Sequence, residues 1–203
     1  MKKIILYISI LLILLFSHTA MAATVYTVVS GDSMWKIAVK YEQGLSEIIS
    51  LNPQIKNPAI IYPGQKINIP EKSAYTGFEE EVARLVNVER ANRGLKPLTL
   101  NWQLSRVART KSQDMINKNY FSHTSPTYGS PFDMMKSFGI KYSSAGENIA
   151  KGQRTPQAVM TGWMNSPGHK ANILNTSYTE IGVGVAKDSS GTYYWTQMFI
   201  KPM

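Results

Sequence analysis

The chain has 203 residues, with 22 Lys and Arg against 13 Asp and Glu, a formal net charge of +9, and no cysteine. The lack of cysteine excludes thiol nucleophiles, thiolate metal ligands and disulfide staples, so each domain must be held by its own core. The basic residues are scattered and no basic run interleaves with aromatics, which excludes a nucleic-acid signature and leaves two readings, attraction to an anionic surface or a generally soluble basic surface.

The first segment carries Lys2 and Lys3, then an almost unbroken apolar run from Ile4 to Phe16, then Ser17-His18-Thr19-Ala20-Met21-Ala22-Ala23. A spanning helix needs roughly 20 apolar residues, and this run is shorter and ends in small side chains that suit signal peptidase. Residues 1–22 are therefore expected to be a signal peptide cleaved after Ala22, leaving no transmembrane segment and a secreted protein. The rival is an uncleaved N-terminal anchor. Cleavage leaves 20 basic against 13 acidic side chains, a net of +7.

Residues 24–70 read as a self-contained unit. Thr24 to Val29 has strand character, Ser30-Gly31-Asp32 is a turn, and Ser33 is positioned to cap a helix from Met34. Trp35, Ile37, Ala38 and Tyr41 recur at helical spacing and are expected in the core, with Gly44 as the helix stop. Ser46 to Leu51 suggests a second helix closed by Asn52-Pro53. Tyr62-Pro63-Gly64-Gln65 is a turn before a short strand, Lys66 to Pro70. The order is βααβ.

Tyr26-Thr27-Val28, Gly31-Asp32-Ser33-Met34-Trp35-Lys36-Ile37-Ala38, Leu51-Asn52-Pro53 and Tyr62-Pro63-Gly64-Gln65-Lys66-Ile67 together resemble a LysM module. The resemblance implies binding of N-acetylglucosamine-containing glycans such as peptidoglycan. The implied groove has Gly31, Asp32, Ser33 and Met34 on one side and Ile60, Ile61, Tyr62 and Pro63 on the other. Residues 71–77 lack periodicity and read as a linker that lets two halves tumble semi-independently.

From Phe78 the pattern turns helical. Phe78, Val82, Leu85 and Val86 share a face, with Glu79, Glu80 and Glu81 in the first turn, where the helix dipole favours acid. Asn101 is an N-cap for a helix reaching about Asn119. Shorter helices fit Pro131 to Phe138 and Pro156 to Asn165, the latter capped by Thr155. Gly146 to Ala150 and a hairpin over Ile181 to Ile200 supply strands. The fold class is α+β, with helices covering a small sheet.

Leu98-Thr99-Leu100-Asn101, His123-Thr124-Ser125-Pro126, Gly146-Glu147-Asn148-Ile149-Ala150, Trp163-Met164, Gly168-His169 and Trp195-Thr196-Gln197 make residues 78–203 similar to the CAP superfamily of cysteine-rich secretory, antigen 5 and pathogenesis-related proteins. The resemblance implies an α-β-α sandwich whose cleft holds His123, Glu147 and His169. A second glutamate expected after the tryptophan is replaced by Met164-Asn165-Ser166-Pro167, a short form similar to the bacterial, envelope- and spore-associated branch. Asn165 or Ser166 is placed to supply a neutral hydrogen bond instead.

Two imidazoles and a carboxylate suit zinc with an open water position, or metal-free acid-base work. A satisfied polar cluster holding the domain together is the alternative. No His-Glu-x-x-His and no Gly-x-Ser-x-Gly occurs. Asn148, Tyr128, Tyr142 and Tyr178 are further candidates to line the cleft. The expectation is a wall-associated protein with a binding or regulatory CAP domain in envelope, spore-coat or germination processes, partnered by peptidoglycan and a wall or spore-coat protein. The alternative is a hydrolase of wall peptides or proteins that uses His123, Glu147 and His169.

Overall fold

The computed structural model describes residues 23–203; the expected leader lies outside the described residues. In the N-terminal module β1 (Ala23–Thr27) pairs antiparallel with β2 (Lys66–Pro70), from Ala23 opposite Pro70 to Thr27 opposite Lys66. Between them lie α1 (Met34–Tyr41) and α2 (Leu45–Ser50). The Ser33 hydroxyl accepts from the Lys36 N–H, which satisfies one of the free donors at the start of α1. Gly44 is not the stop that was expected. The helix ends at Tyr41 because Glu42 turns into the left-handed region at φ 54°, and Gly44 instead begins α2.

Val28, Met34, Ile37, Ala38, Ile48, Ile55, Ile67 and Ile69 form the module's core. Trp35, expected there, is 51% exposed. Met34, Ile37 and Ala38 occupy the inward stripe at helical spacing, so Trp35 shares the outer face with Val39, four residues on.

The C-terminal domain begins with α3 (Thr76–Ala91), so Thr76 and Gly77 belong to a helix rather than to the linker. It continues through β3 (Thr99–Leu100), α4 (Trp102–Asn117), α5 (Pro131–Ser137), β4 (Tyr142–Lys151), α6 (Pro156–Met164), α7 (Pro167–Ile173), β5 (Glu180–Lys187) and β6 (Tyr193–Pro202). The strand order is β3-β5-β6-β4, with β3 parallel to β5 and the other pairs antiparallel. Caps expected at Asn101 and Thr155 are formed, by side chains that accept from Leu104 and Ala158 N–H groups.

Helices cover both faces of the sheet. Val82, Val86, Val159, Trp163 and Ile173 of α3, α6 and α7 pack with Val183, Val185, Trp195 and Phe199. Leu104, Val107, Met134 and Met135 of α4 and α5 pack with Met198 and Ile200 of the opposite face. The result is the three-layer sandwich expected from the resemblance. The glycines of β5 have a packing reason: a Cβ at Gly182 or Gly184 would enter the backbone of α4 at Leu104–Ser105 or Ala108–Arg109. Helix and strand thus touch backbone to backbone.

Because β3 covers only Glu180 and Ile181, the rest of that edge of β5 needs other partners. The Val183 N–H donates to Ser105 Oγ at 3.1 Å and the Val185 N–H to Glu79 Oε1 at 3.2 Å. Glu79 is therefore buried, not a surface acid favoured by the helix dipole alone. Burial pushes its carboxyl up to about 7, against the opposing pull of the Arg109 charge and the Val185 N–H.

Candidate functional site

Glu147 lies in β4 with its side chain 2% exposed, while His123, in the segment between α4 and α5, is 53% exposed. His123 Nδ1 and Glu147 Oε1 are 2.7 Å apart. Glu147 Oε2 is buried with no hydrogen-bond partner, so neither Asn165 nor Ser166 bonds to it. Burial raises the Glu147 carboxyl above the usual carboxylate range, opposed by the His123 bond and by the charges of Lys111 and His123.

His169 stands on α7, a helix absent from the elements expected of the sequence. Burial, and then the nearby His123 charge, hold its imidazole below the ordinary range. Asn148 fixes this helix to the sheet, since its Nδ2 donates to the His169 carbonyl at 3.0 Å and to Gln197 Oε1 at 3.1 Å. Asn172 Nδ2 returns the tie to Asn148 Oδ1 at 2.9 Å. Asn148 is fully buried, and Tyr178 is buried and stacked on Phe199, so neither lines the cleft. Tyr128 packs on Phe138, and Tyr142 lies against the same cluster.

The loop that carries His123 is held by two residues the sequence reading missed. Lys111, fully buried on α4, donates to the His123 carbonyl at 2.7 Å and to the Tyr120 hydroxyl at 3.1 Å. Asp114, one turn on, accepts from Tyr120, Ser125 and Thr127 hydroxyls at 2.6–2.7 Å. Burial lowers the Lys111 ammonium, against the charges of Glu147 and Asp114. A signal was present: Leu104, Ala108, Lys111 and Met115 fall on one helical stripe, so a lysine stood at an inward position.

Two imidazoles and a carboxylate hold zinc when their donor atoms face a common point. Among the described residues no group of three or more His, Asp or Glu is so arranged. His123 turns Nδ1 onto the carboxylate instead. As arranged here, His123, Glu147 and His169 do not converge on one metal position. What the pair offers is a half-exposed imidazole oriented by a buried carboxylate, an arrangement able to take or give a proton.

In the N-terminal module, Val28 joins the two expected groove loops, its N–H donating to the Gln65 carbonyl and its carbonyl accepting from the Gly64 N–H, each at 2.9 Å. The residues differ in role. Met34 is core, and Ile61 packs partly against it. Asp32 Oδ2 accepts from the Val29 N–H at 2.9 Å and the Tyr26 hydroxyl at 2.7 Å, which pins the turn and lowers its carboxyl. Gly31 supplies the turn's φ of 88°. Ile60 and Tyr62 are 51% and 67% exposed, and with Gln54 and Gln65 they line an open depression that none of residues 31–34 borders.

The model of the cysteine-rich secretory protein (CAP) family matches residues 83–199, more than half of the chain. This chain belongs to the CAP family. The LysM domain model matches residues 26–70, so a LysM module precedes the CAP domain. The uncharacterized protein YkwD of Bacillus subtilis is 59% identical over 128 residues, 63% of this chain and 49% of that protein. The uncharacterized membrane protein YlbC of the same organism is 36% identical over 172 residues, 80% of this chain and 48% of that one. The chain thus spans about half the length of these relatives. The crystal structure of an extracellular protein containing an SCP domain from Bacillus anthracis matches with a TM-score of 0.59 and 34% identity, covering 68% of this chain and 47% of that one.

Proposed function

We propose that this is a secreted, wall-associated protein whose LysM module docks on the N-acetylglucosamine-containing glycan of peptidoglycan and holds the CAP domain at the wall. The observation that carries the reading is the apolar ledge of Ile60 and Tyr62, left in water on a loop fixed by backbone bonds to Val28. Such a ledge suits acetamido methyls and sugar faces, with backbone groups nearby for their polar atoms. The net charge of +7 expected after cleavage adds attraction to an anionic wall. Among the described residues no helix is long and apolar enough to cross a membrane.

Tethering raises the local concentration of the CAP domain at its target without further contacts. Its role is then binding or regulatory, in envelope or spore-coat assembly or in control of wall-lytic enzymes during germination, with a wall or coat protein as partner. The spore assignment rests on resemblance to the bacterial branch of the family.

The His123–Glu147 pair favours a second reading, an acid-base hydrolase of wall peptides or proteins, with His169 near enough for its imidazole to feel the His123 charge. Mature protein incubated with purified peptidoglycan, with released fragments scored by mass spectrometry beside a folded His123→Ala variant, separates the two. Release lost in the variant makes it a hydrolase. Sedimentation with the wall and no release supports the adaptor.

A further inference from the structure

Gly44 is the N-cap of α2, a position that glycine fills better than alanine does. Its φ of −68° and ψ of 138° are open to any residue. A Cβ there would nevertheless fall inside the van der Waals shells of Glu47 Oε2 and Arg106 Nε. Glu47 belongs to the same module, but Arg106 comes from α4 of the CAP domain.

Arg106 Nε and Nη2 donate to the two oxygens of Glu47, each at 2.8 Å, and Nη2 also donates to Ser46 Oγ at 2.9 Å. On its own side the guanidinium lies over the Phe138 ring, 4.9 Å from the centroid. A planar fork that stacks on an aromatic and grips a carboxylate with two bonds is fixed in direction as well as in charge, which a lysine would not be. Burial acts against ionisation of Glu47, yet the bonds from Arg106 and Ser46 prevail and hold its carboxyl below the usual range. Among the described residues, every hydrogen bond between residues 23–70 and 78–203 comes from Arg106.

We propose that Arg106, Glu47 and the empty Cβ position of Gly44 form a latch that seats the LysM module on the CAP domain, so that the two move as one body. The surface of α4 around Arg106 is then an interaction surface, and its partner is this chain's own LysM module. The latch replaces the semi-independent tumbling expected from the linker. It stands whether or not the module binds glycan, and when glycan is bound it keeps the LysM ledge and the His123–Glu147 cleft in one fixed relation.

The test is backbone amide relaxation on the chain of residues 23–203, wild type beside Gly44→Ala and Arg106→Ala. The latch predicts one shared rotational correlation time in the wild type. In either variant the LysM amides take a separate, shorter time, while the amide spectra of both domains show intact folds. Gly44→Ala fills the space taken by the Glu47 carboxylate and the Arg106 guanidinium, whereas Arg106→Ala removes the fork outright. Two separate times in the wild type, or one shared time kept in both variants, would overturn the proposal.

Discussion

His123 Nδ1 meets Glu147 Oε1 at 2.7 Å, and that bond is what the buried carboxylate has in place of water. Removing the ring leaves both oxygens without partners. His123→Ala is expected to destabilise the CAP domain by about 1–3 kcal/mol at neutral pH. The Glu147 carboxyl is raised in the folded state, so its contribution is fully present below the unfolded carboxylate range and is lost as pH rises through the folded value. The cost of His123→Ala should therefore shrink at pH values where Glu147 is protonated in both states, as urea unfolding at two pH values will show.

Since no metal set is formed around that bond, a chelator is expected to leave thermal unfolding of the wild type unchanged. A fall in the melting temperature with EDTA, restored by zinc, would contradict this geometry.

Glu79 gives the clearest pH dependence. With its carboxyl raised from 4.5 to about 7, the unfolded chain ionises first as pH climbs. The stability it lends below pH 4.5 is lost by the time pH passes 7, a span worth roughly 3 kcal/mol at most. Glu79→Gln keeps an acceptor for the Val185 N–H and removes the titration. Its stability should be flatter between those limits and exceed that of the wild type above pH 7.

Gly184→Ala tests the backbone contact between β5 and α4. The added methyl meets the rigid backbone at Ala108 and Arg109, not the end of a movable side chain. A loss of about 3 kcal/mol or more is expected in denaturant unfolding. The same change at Gly139, where a Cβ meets open space, is limited to the strain of its φ of 78°.

Lys111→Met removes the donor that holds the His123 carbonyl while keeping the apolar stem. Amides of residues 120–127 should exchange faster with solvent, more than those of the sheet.

The sequence displays the elements that local chemistry dictates. Ser33, Asn101 and Thr155 cap helices because each places a side-chain oxygen before an apolar helical pattern, and the β5–β6 hairpin follows from alternation. What stayed hidden depends on partners distant in the chain. Gly44 read as a helix stop because nothing local reveals Arg106. Trp35 read as core because aromatic character says nothing about which side of a short helix faces inward. At the cleft, His123 and Glu147 were legible as a pair, but the bond that turns one onto the other depends on Lys111 and Asp114 fixing the loop between. Helix α7 was obscured by its proline and glycine, although Pro167 stands where a first turn tolerates it.

The most direct test of the account is sedimentation of residues 23–203 with purified peptidoglycan, beside a variant carrying Ile60→Ala and Tyr62→Ala. Both side chains are mostly in water, so the variant should fold as the wild type does. The account predicts saturable sedimentation of the wild type, weakened about tenfold or more in the variant. Wild-type protein that stays in the supernatant, or a variant that binds as tightly, would contradict it.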